Sequence, residues 1–409
     1  MISQERLWKD IETIATMTEE GSFARRCFTK EYRQARAWLQ SEFDKLGMET
    51  TVDPAGNMIG RLKGHSDLPA IATGSHLDTV QNGGRFDGIA GVLAGLEVAR
   101  SIVEQGIVTK RDFLVIDFTS EEPSDFGISC IGSRAMAGKL PKNALERQDR
   151  SGLSLDGAIR LIGGAPEQLD QCVLSDSDIA KFVELHIEQG PHLEDTNTDV
   201  GIVSSIVGIQ RIEVVIEGTA AHSGTTPMNL RKDAFNSASY LFRFIHDTAI
   251  SFATESEHYF VATIGQCSVF PNGANVVPNR CTFTCDIRSS NDAMIVKFIN
   301  ILKEVAQQIQ EQHQTPVGIQ ILSSSPAEIC DADIQRNLTQ YAEELNLTHC
   351  TMASGAGHDA AYINKICPSS MIFIPSKDGR SHCPEEYSSR TQLFKGTLLL
   401  EKYIMREAC

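Results

Sequence analysis

The chain has 409 residues, of which 37 are basic and 53 are acidic, and its net charge at pH 7 is −16. Hydrophobic residues make up 41% and charged residues 22%, which is typical of a globular protein of this length with two or three domains. This composition excludes a disulfide miniprotein and a disordered chain. We also expect no nonspecific binding to nucleic acid or to an anionic membrane surface, because both repel so negative a chain.

The amino terminus and the cysteines predict a soluble, cytoplasmic protein. Glu5, Arg6, Lys9 and Asp10 interrupt the segment in which a secretory signal needs an apolar core. No apolar stretch approaches the roughly 18 residues that span a bilayer. The 11 cysteines are an odd number and contain no Cys-x-x-Cys pair, which is typical of reduced thiols.

The first part of the chain alternates predicted helices with short apolar strands. Residues 33–46 have a helical spacing of apolar side chains and end at Gly47, and a second helix is predicted at 89–105. Apolar runs bounded by polar or turn residues predict buried strands at 69–74, 112–119 and 181–185. This β-α-β order predicts the α/β class, with an open, mostly parallel sheet and helices on both faces.

A different pattern begins after Gly208. Apolar residues alternate with other residues over 212–217 and again over 281–287, which is typical of a sheet with one solvent-facing side. Helices are predicted at 230–247 and 292–312. This α+β order predicts a second domain, inserted into the first.

The remaining segments return to the first pattern. An apolar strand is predicted at 371–374 and an amphipathic helix at 391–405. We therefore predict a first domain formed by residues 1–208 and 325–409, and an inserted domain formed by residues 209–324.

Potential metal ligands accompany four strands of the predicted first domain. They are His76 and Asp87 after the first, Glu121 and Glu122 after the second, His186 within the third and His382 after the last. Open α/β sheets place their binding crevice at these strand ends. Taken singly, each residue has a structural interpretation as a core histidine, a turn residue or part of a solvated acidic loop. The third strand also carries Glu184 and Glu188, which alternation places on the same side as His186.

Imidazoles mixed with carboxylates suit zinc or manganese better than calcium or magnesium, and cobalt or nickel are also accepted. The five candidates are His76, Asp87, Glu122, His186 and His382. Five ligands are one too many for a closed structural zinc site, and they suit two metals that share Asp87. Glu121 is then left free as a general base.

Five motifs carry a family resemblance. They are Gly-Ser-His-Leu-Asp-Thr-Val from Gly74, Glu-Leu-His-Ile-Glu-Gln-Gly-Pro from Glu184, Ala-His-Ser-Gly-Thr-Thr-Pro from Ala221, Gly-Ala-Asn-Val-Val-Pro from Gly273 and Ser-Gly-Ala-Gly-His-Asp-Ala from Ser354. In this order they resemble the hydantoinase/carbamoylase group of dinuclear metal amidohydrolases. That group includes N-carbamoyl-L-amino acid, allantoate and ureidoglycolate amidohydrolases and β-ureidopropionases, and it is related to aminoacylases and metal-dependent carboxypeptidases.

The resemblance implies a role for each matching residue. His76, Asp87 and His186 match the ligands of one metal, Asp87, Glu122 and His382 match those of the other, and Glu121 matches the general base. Substrate contacts are implied for Gln189, His222, Asn275, Arg288 and Gly357, with His358 as a further candidate. His222 matches a catalytic residue that reaches the active site of a partner subunit. The resemblance thus implies a homodimer in which the inserted domain serves as lid and dimerisation domain.

The implied activity is cleavage of the ureido group of an N-carbamoyl-L-amino acid or a close analogue, with release of ammonia and carbon dioxide. The segments at 121–134 and 384–389 resemble ureidoglycolate amidohydrolases, whereas those at 225–227 and 354–357 resemble carbamoylases and allantoate amidohydrolases. The small-molecule substrate therefore stays open among these ureido compounds. A peptidase or aminoacylase on the same scaffold is a second hypothesis. A metal-binding scaffold protein without turnover is a third, and the presence of Glu121 beside all five ligand candidates argues against it.

Overall fold

The computed structural model describes residues 1–409, which form two compact units. The first unit comprises residues 1–204, 330–352 and 357–409, and the second comprises residues 205–329 and 353–356. No helix is both long enough and apolar enough to cross a membrane. The predicted roles of the two domains, catalytic and lid or dimerisation, stay predictions.

The helices and strands alternate along the chain. The strands are β1 (Glu49–Val52), β2 (Met58–Leu62), β3 (Ala70–Ser75), β4 (Phe113–Asp117), β5 (Ile179–Ile187), β6 (Val200–Ile206), β7 (Gly208–Glu217), β8 (Ala221–His222), β9 (Phe260–Phe270), β10 (Val276–Val277), β11 (Arg280–Ser289), β12 (Val317–Ser325), β13 (Glu328–Ile329), β14 (His349–Ser354) and β15 (Ser369–Ile374). The α-helices are α1 (Gln4–Ala15), α2 (Lys30–Lys45), α3 (Ile89–Glu104), α4 (Ile131–Met136), α5 (Leu155–Leu161), α6 (His192–Asp195), α7 (Ala234–Glu255), α8 (Asp292–His313), α9 (Ala332–Glu344), α10 (Ala360–Ile363) and α11 (Arg390–Ala408).

The sheet of the first unit is centred on four parallel strands in the order β4-β3-β5-β15. Antiparallel β2 and β1 extend it beyond β4, and antiparallel β6 extends it beyond β15. All residues of β3 and β15 are buried, as expected of central strands in a largely parallel sheet that is covered on both faces. The predicted α/β class with a mostly parallel sheet is confirmed.

Helix α3 lies in the core of the first unit. It is buried from Ile89 to Ile102, and its side chains are apolar on nearly all sides, as expected of a helix without a solvent-facing side. The helix begins after Gly88, whose φ of 70° lies in the left-handed region that favours glycine. This turn places Asp87 directly before the first turn of the helix.

The second unit contains an antiparallel sheet in the order β12-β7-β11-β9. The inward residues of β7 and β11 form one core with α7 and α8. Cys281 and Cys285 belong to this core, as their spacing with Phe283 predicts. Helix α7 begins later than predicted, because the Asp233 side chain caps it by accepting the N–H of Asn236.

Candidate metal centre

The five predicted ligands all belong to the first unit. Because β3, β4, β5 and β15 are parallel, their carboxyl ends meet at one edge of the sheet. Side chains that leave these ends therefore converge, although they come from positions as far apart in the chain as His76 and His382.

Asp87 is shared by two groups of potential ligands. One group is His76, Asp87 and His186, the other is Asp87, Glu122 and His382, and the ligand atoms within each group lie within 4.8 Å of one another. His186 Nε2 is 3.1 Å from Asp87 Oδ1, whereas His382 Nε2 is 3.0 Å from Asp87 Oδ2. Asp87 thus presents one oxygen to each group, as a carboxylate that bridges two cations must.

Backbone contacts fix the orientation of two of the imidazoles. His76 Nδ1 lies 2.9 Å from the carbonyl oxygen of Asp78, and His186 Nδ1 lies 2.9 Å from that of Ile187. A carbonyl oxygen only accepts, so each Nδ1 carries the proton. Nε2 is therefore the nitrogen of each ring that can bind a cation, in place of a proton, while Nδ1 contacts the backbone as is usual for a metal-binding histidine.

The charges of the site also fit cations. Burial lowers the pKa of His76 to about 4. Burial acts in the same direction on His186, but Asp87 outweighs it and raises its pKa to about 9. Hydrogen bonds to Asp87 and Glu122 raise the pKa of His382 to about 11. Buried carboxylates need positive charge beside them, and a divalent cation can supply it in place of these protons.

Glu121 lies next to the two groups but belongs to neither. Its Oε2 is 3.7 Å from His76 Nε2, and the Cys130 thiol donates to its Oε1 at 3.4 Å. Burial, reinforced by the charge of Glu122, raises the pKa of Glu121 well above its usual range. Glu121 is therefore a carboxyl group beside the two ligand groups that takes part in neither, and its role as general base stays a prediction.

Asp78 has a structural role that the sequence reasoning did not identify. Its carboxylate accepts the backbone N–H groups of Glu121 and Glu122 at 3.3 and 3.2 Å, so it holds the segment that carries both side chains. The signal in the sequence was that Asp78 belongs to the same Gly74 motif as His76, two positions after it.

Gly88→Ala is expected to lower both stability and metal affinity. A left-handed conformation costs an L-residue about 1–2 kcal/mol. In addition, a Cβ at this position would lie 2.4 Å from His76 ring atoms, so the ring would have to move. Gly106→Ala is the matched control, since φ is 65° there and a Cβ meets nothing within 4 Å. Chemical denaturation should show a loss of stability in both variants. Zinc titration should show a loss of affinity in Gly88→Ala alone. The same zinc affinity in Gly88→Ala and Gly106→Ala would contradict this prediction.

The acidic side chains predicted to accompany His186 on β5 have separate hydrogen-bond partners in the structure. Glu184 accepts hydrogen bonds from the Ser75 hydroxyl at 2.7 Å and the Ala360 N–H at 3.1 Å. Glu188 accepts the N–H groups of His192 and Leu193, both at 2.8 Å. Glu188 therefore contacts backbone and belongs to neither ligand group, whereas His186 belongs to one of them. The prediction that the two side chains share a face stays a prediction.

Three predicted substrate contacts lie in the first unit. Gln189 donates from Nε2 to Asp87 Oδ2 at 2.8 Å, so it contacts the shared carboxylate itself. His358 is buried against His186, with ring centroids 4.5 Å apart, and burial holds its pKa well below the usual value. Gly357 is exposed. The neighbouring Asp359 accepts from the Ser133 hydroxyl and makes no side-chain hydrogen bond to α10.

The other three predicted substrate contacts lie in the second unit. His222 and Asn275 adjoin each other, since β8 pairs with β10 and the Ser223 N–H bonds to the Asn275 carbonyl at 3.0 Å. His222 Nδ1 accepts the N–H groups of Gly224 and Thr225 at 3.0 and 3.2 Å. The proton of its imidazole is therefore on Nε2, which makes the exposed His222 a hydrogen-bond donor.

Arg288 is the last of these residues. It pairs with Asp286 at 2.7 Å and donates to the Gly355 carbonyl at 3.0 Å. Together with Arg211 it lines a cavity of about 750 Å³ in the second unit. The substrate roles of all six residues stay predictions.

An open α/β sheet with two histidine and carboxylate groups at the ends of its parallel strands defines a metal-dependent hydrolase. A family profile gives this class a more specific identity. Peptidase family M20/M25/M40 matches residues 72–406, and the chain belongs to this family.

Comparison with individual proteins agrees with this result. The chain is 36% identical over 403 residues to the N-carbamoyl-L-amino acid amidohydrolase of Geobacillus stearothermophilus, covering 98% of this chain and 97% of the relative. It is 36% identical over 395 residues to the allantoate amidohydrolase of Bacillus subtilis (strain 168), covering 95% and 93%. The crystal structure of a hydantoinase/carbamoylase family amidase from Burkholderia multivorans is similar with a TM-score of 0.93 and 32% identity, covering 100% and 98%. The family resemblance stated from the motifs is confirmed.

Proposed function

We propose that this protein is an amidohydrolase that cleaves the ureido C–N bond of an N-carbamoyl-L-amino acid, releasing ammonia and carbon dioxide. The observation that carries this proposal is the shared carboxylate of Asp87, with Glu121 beside it and outside both ligand groups. Similarity to an N-carbamoyl-L-amino acid amidohydrolase over nearly the whole chain supports the choice of substrate.

Two divalent cations are part of the proposal, with zinc or manganese preferred and cobalt or nickel accepted by the same donors. His76, Asp87 and His186 would hold one cation, and Asp87, Glu122 and His382 the other. Bound cations supply polarisation of the substrate carbonyl and acidification of water near neutral pH. The donor atoms fit this assignment, because Nε2 is the nitrogen of His76 and of His186 that can bind a cation in place of a proton.

The protein's own residues move the proton and stabilise charge. Glu121 takes a proton from the attacking water and passes it to the leaving nitrogen, which then departs as a neutral amine. Negative charge collects on the substrate carbonyl oxygen during attack, and the Nε2–H of His222 donates to it. His222 performs this role across a homodimer, in the active site of the partner subunit. Analytical ultracentrifugation tests the dimer directly.

Arg288 is proposed to bind the substrate carboxylate through its guanidinium group. Arg288→Ala should raise KM about tenfold or more for substrates that carry a carboxylate, the value of one charge-assisted hydrogen bond. Neutral ureido compounds should be affected much less, and kcat should change little. Steady-state kinetics with both substrate types measures the difference.

The matched control for this substitution is Arg280→Ala. Arg280 lies on the same strand, β11, and its nearest acidic partner is Glu217 at 3.7 Å. This variant should keep the kinetics of the unaltered protein. An equal rise in KM for charged and neutral substrates in Arg288→Ala would show that its pairing with Asp286 is structural and that it makes no substrate contact.

Allantoate and ureidoglycolate are the alternative substrates. The 36% identity to an allantoate amidohydrolase favours the first, and the segments at 121–134 and 384–389 favour the second. The deciding experiment measures ammonia release from allantoate, ureidoglycolate, N-carbamoyl-β-alanine and several N-carbamoyl-L-amino acids, after reconstitution with zinc and with manganese. The highest kcat/KM is expected for an N-carbamoyl-L-amino acid.

Adding dipeptides and N-acyl amino acids to this panel, with release of free amino acid as their readout, separates the other two hypotheses. Turnover of dipeptides or N-acyl amino acids, with none of ureido compounds, would identify a peptidase or aminoacylase. Absence of turnover on every substrate, with both cations bound, would identify a scaffold protein. Either result would overturn the proposed activity.

A further inference from the structure

Glu386 is a buried carboxylate next to the metal centre that has no place in the roles assigned above. It is 1% exposed. Its Oε1 accepts the backbone N–H groups of Phe86 at 2.8 Å and Asp87 at 3.0 Å. Its Oε2 accepts the hydroxyl of Ser381 at 2.8 Å. Glu386 thus joins the segment that carries Asp87 to the segment that carries His382.

Ser381 extends this contact to the shared carboxylate. Its hydroxyl also lies 3.1 Å from Asp87 Oδ2, so the two carboxylates share its single proton. Gln189 Nε2 donates to the same Asp87 oxygen at 2.8 Å. Asp87 Oδ2 is the oxygen that faces His382, at 3.0 Å. Glu386 therefore holds the Asp87 backbone directly and reaches one of its two carboxylate oxygens through Ser381.

The chain leaves room for this arrangement at Gly84. A Cβ at this position would lie 2.2 Å from the carboxyl carbon and Oε1 of Glu386. Any residue other than glycine would have to displace the carboxylate. The segments that contain Gly84 and Glu386 can thus approach closely only because residue 84 is a glycine.

We propose that Glu386 is a positioning residue, which orients Asp87 Oδ2 for the cation held by Asp87, Glu122 and His382. This inference rests on the proposed function, because it assumes two cation sites. A ligand whose backbone and carboxylate are held in place loses little conformational freedom when it binds, and outer partners of this kind typically change metal affinity 10–100-fold. Asp87 Oδ1 faces His186 at 3.1 Å and has no contact with Ser381, so the effect should fall mainly on one cation.

Glu386→Ala tests the inference by metal binding rather than by activity. Zinc stoichiometry is measured by elemental analysis after dialysis, and the two affinities by competition with a chromophoric chelator. We expect one zinc per chain to be held with unchanged affinity and the second to bind about 10–100-fold more weakly. Glu386→Gln should recover most of the lost affinity, since the amide oxygen can accept both N–H groups and the amide nitrogen can donate to Ser381.

Glu385→Ala is the matched control. Glu385 is the preceding residue, its side chain is 59% exposed, and it pairs with Arg380 at 3.0 Å. This variant should bind two zinc ions with the affinities of the unaltered protein. Two unchanged affinities in Glu386→Ala, or an equal loss for both ions, would overturn the inference while leaving the proposed function intact. Fewer than two zinc ions in the unaltered protein would overturn the proposed function and this inference together.

Ser381→Ala provides the test if Glu386→Ala does not fold. It removes one hydroxyl from a half-buried position and leaves both carboxylates in place. The second zinc should bind about tenfold more weakly, the lower end of the range for an outer partner. The thermal midpoint of the metal-free protein should stay the same. Unchanged affinity for both ions in this variant would overturn the link from Glu386 through Ser381 to Asp87 Oδ2 on which the inference depends.

Discussion

Glu121→Gln is expected to lower kcat at least about a hundredfold, the lower end of what general-base catalysis contributes. Glutamine has the shape of glutamate but cannot take a proton from water. Because Glu121 belongs to neither ligand group, the variant should keep both metal ions and its oligomeric state. Steady-state kinetics on an N-carbamoyl-L-amino acid, with metal analysis of the same sample, measures the two effects together.

Glu188→Gln is the matched control for this substitution. Glu188 also lies near a ligand candidate in the sequence, but its carboxylate accepts the N–H groups of His192 and Leu193. An amide oxygen can replace those contacts, so kcat should stay within about threefold of the unaltered value, a small effect beside general-base loss. Full activity in Glu121→Gln, or loss of metal from it, would show that Glu121 is misassigned.

Asp87→Asn is expected to have the largest effect, because it acts on both cations. The substitution removes the negative charge and one of the two oxygens that face His186 and His382. Each zinc affinity should fall at least about a hundredfold, more than the loss of an outer partner costs. Turnover at micromolar zinc should fall by at least the same factor. Calorimetric zinc titration and the ammonia assay measure the two quantities.

Asp125→Asn is the control for the loss of one negative charge outside the metal centre. Asp125 is half exposed and contacts Arg26 at 3.3 Å, outside both ligand groups. Zinc binding in this variant should match that of the unaltered protein. If Asp87→Asn lost one ion and bound the other normally, Asp87 would be the ligand of a single cation and not a bridge.

The effects of Glu121→Gln and Asp87→Asn on activity should not be additive. Glu121→Gln impairs proton transfer in a step that needs the cations, and Asp87→Asn removes the cations. The double variant should therefore be no less active than Asp87→Asn alone, as expected for residues that act as one unit. A further hundredfold loss in the double variant would mean that Glu121 acts independently of the metal centre.

The sequence predicted helices and strands correctly where one face of the element is buried. The period of two at 212–217 and 281–287 predicts β7 and β11, because their alternate side chains enter the core of the second unit. The sequence pattern did not predict β9 and β12, which are edge strands of the same sheet. Most of their residues are exposed or half-buried, so no hydrophobic period marks them.

The ligand types of the candidate site also followed from the sequence. His76, Glu122 and His382 come after predicted strands, and the parallel order implied that these strand ends meet. Alternation grouped Glu188 with His186 at β5, but only His186 belongs to a ligand group. Glu188 accepts the backbone N–H groups of His192 and Leu193, and no pattern of hydrophobicity encodes those contacts.

The sequence by itself thus determined the α/β class, the family and the residues able to bind metal, because strand periodicity and motif order are local properties of the chain. Only the tertiary structure decided that Asp87 presents one oxygen to His186 and the other to His382. It also decided that Glu386 holds the Asp87 backbone from 299 positions away. Such distances depend on the order of the strands and on the packing of the whole core, which many weak contacts fix together.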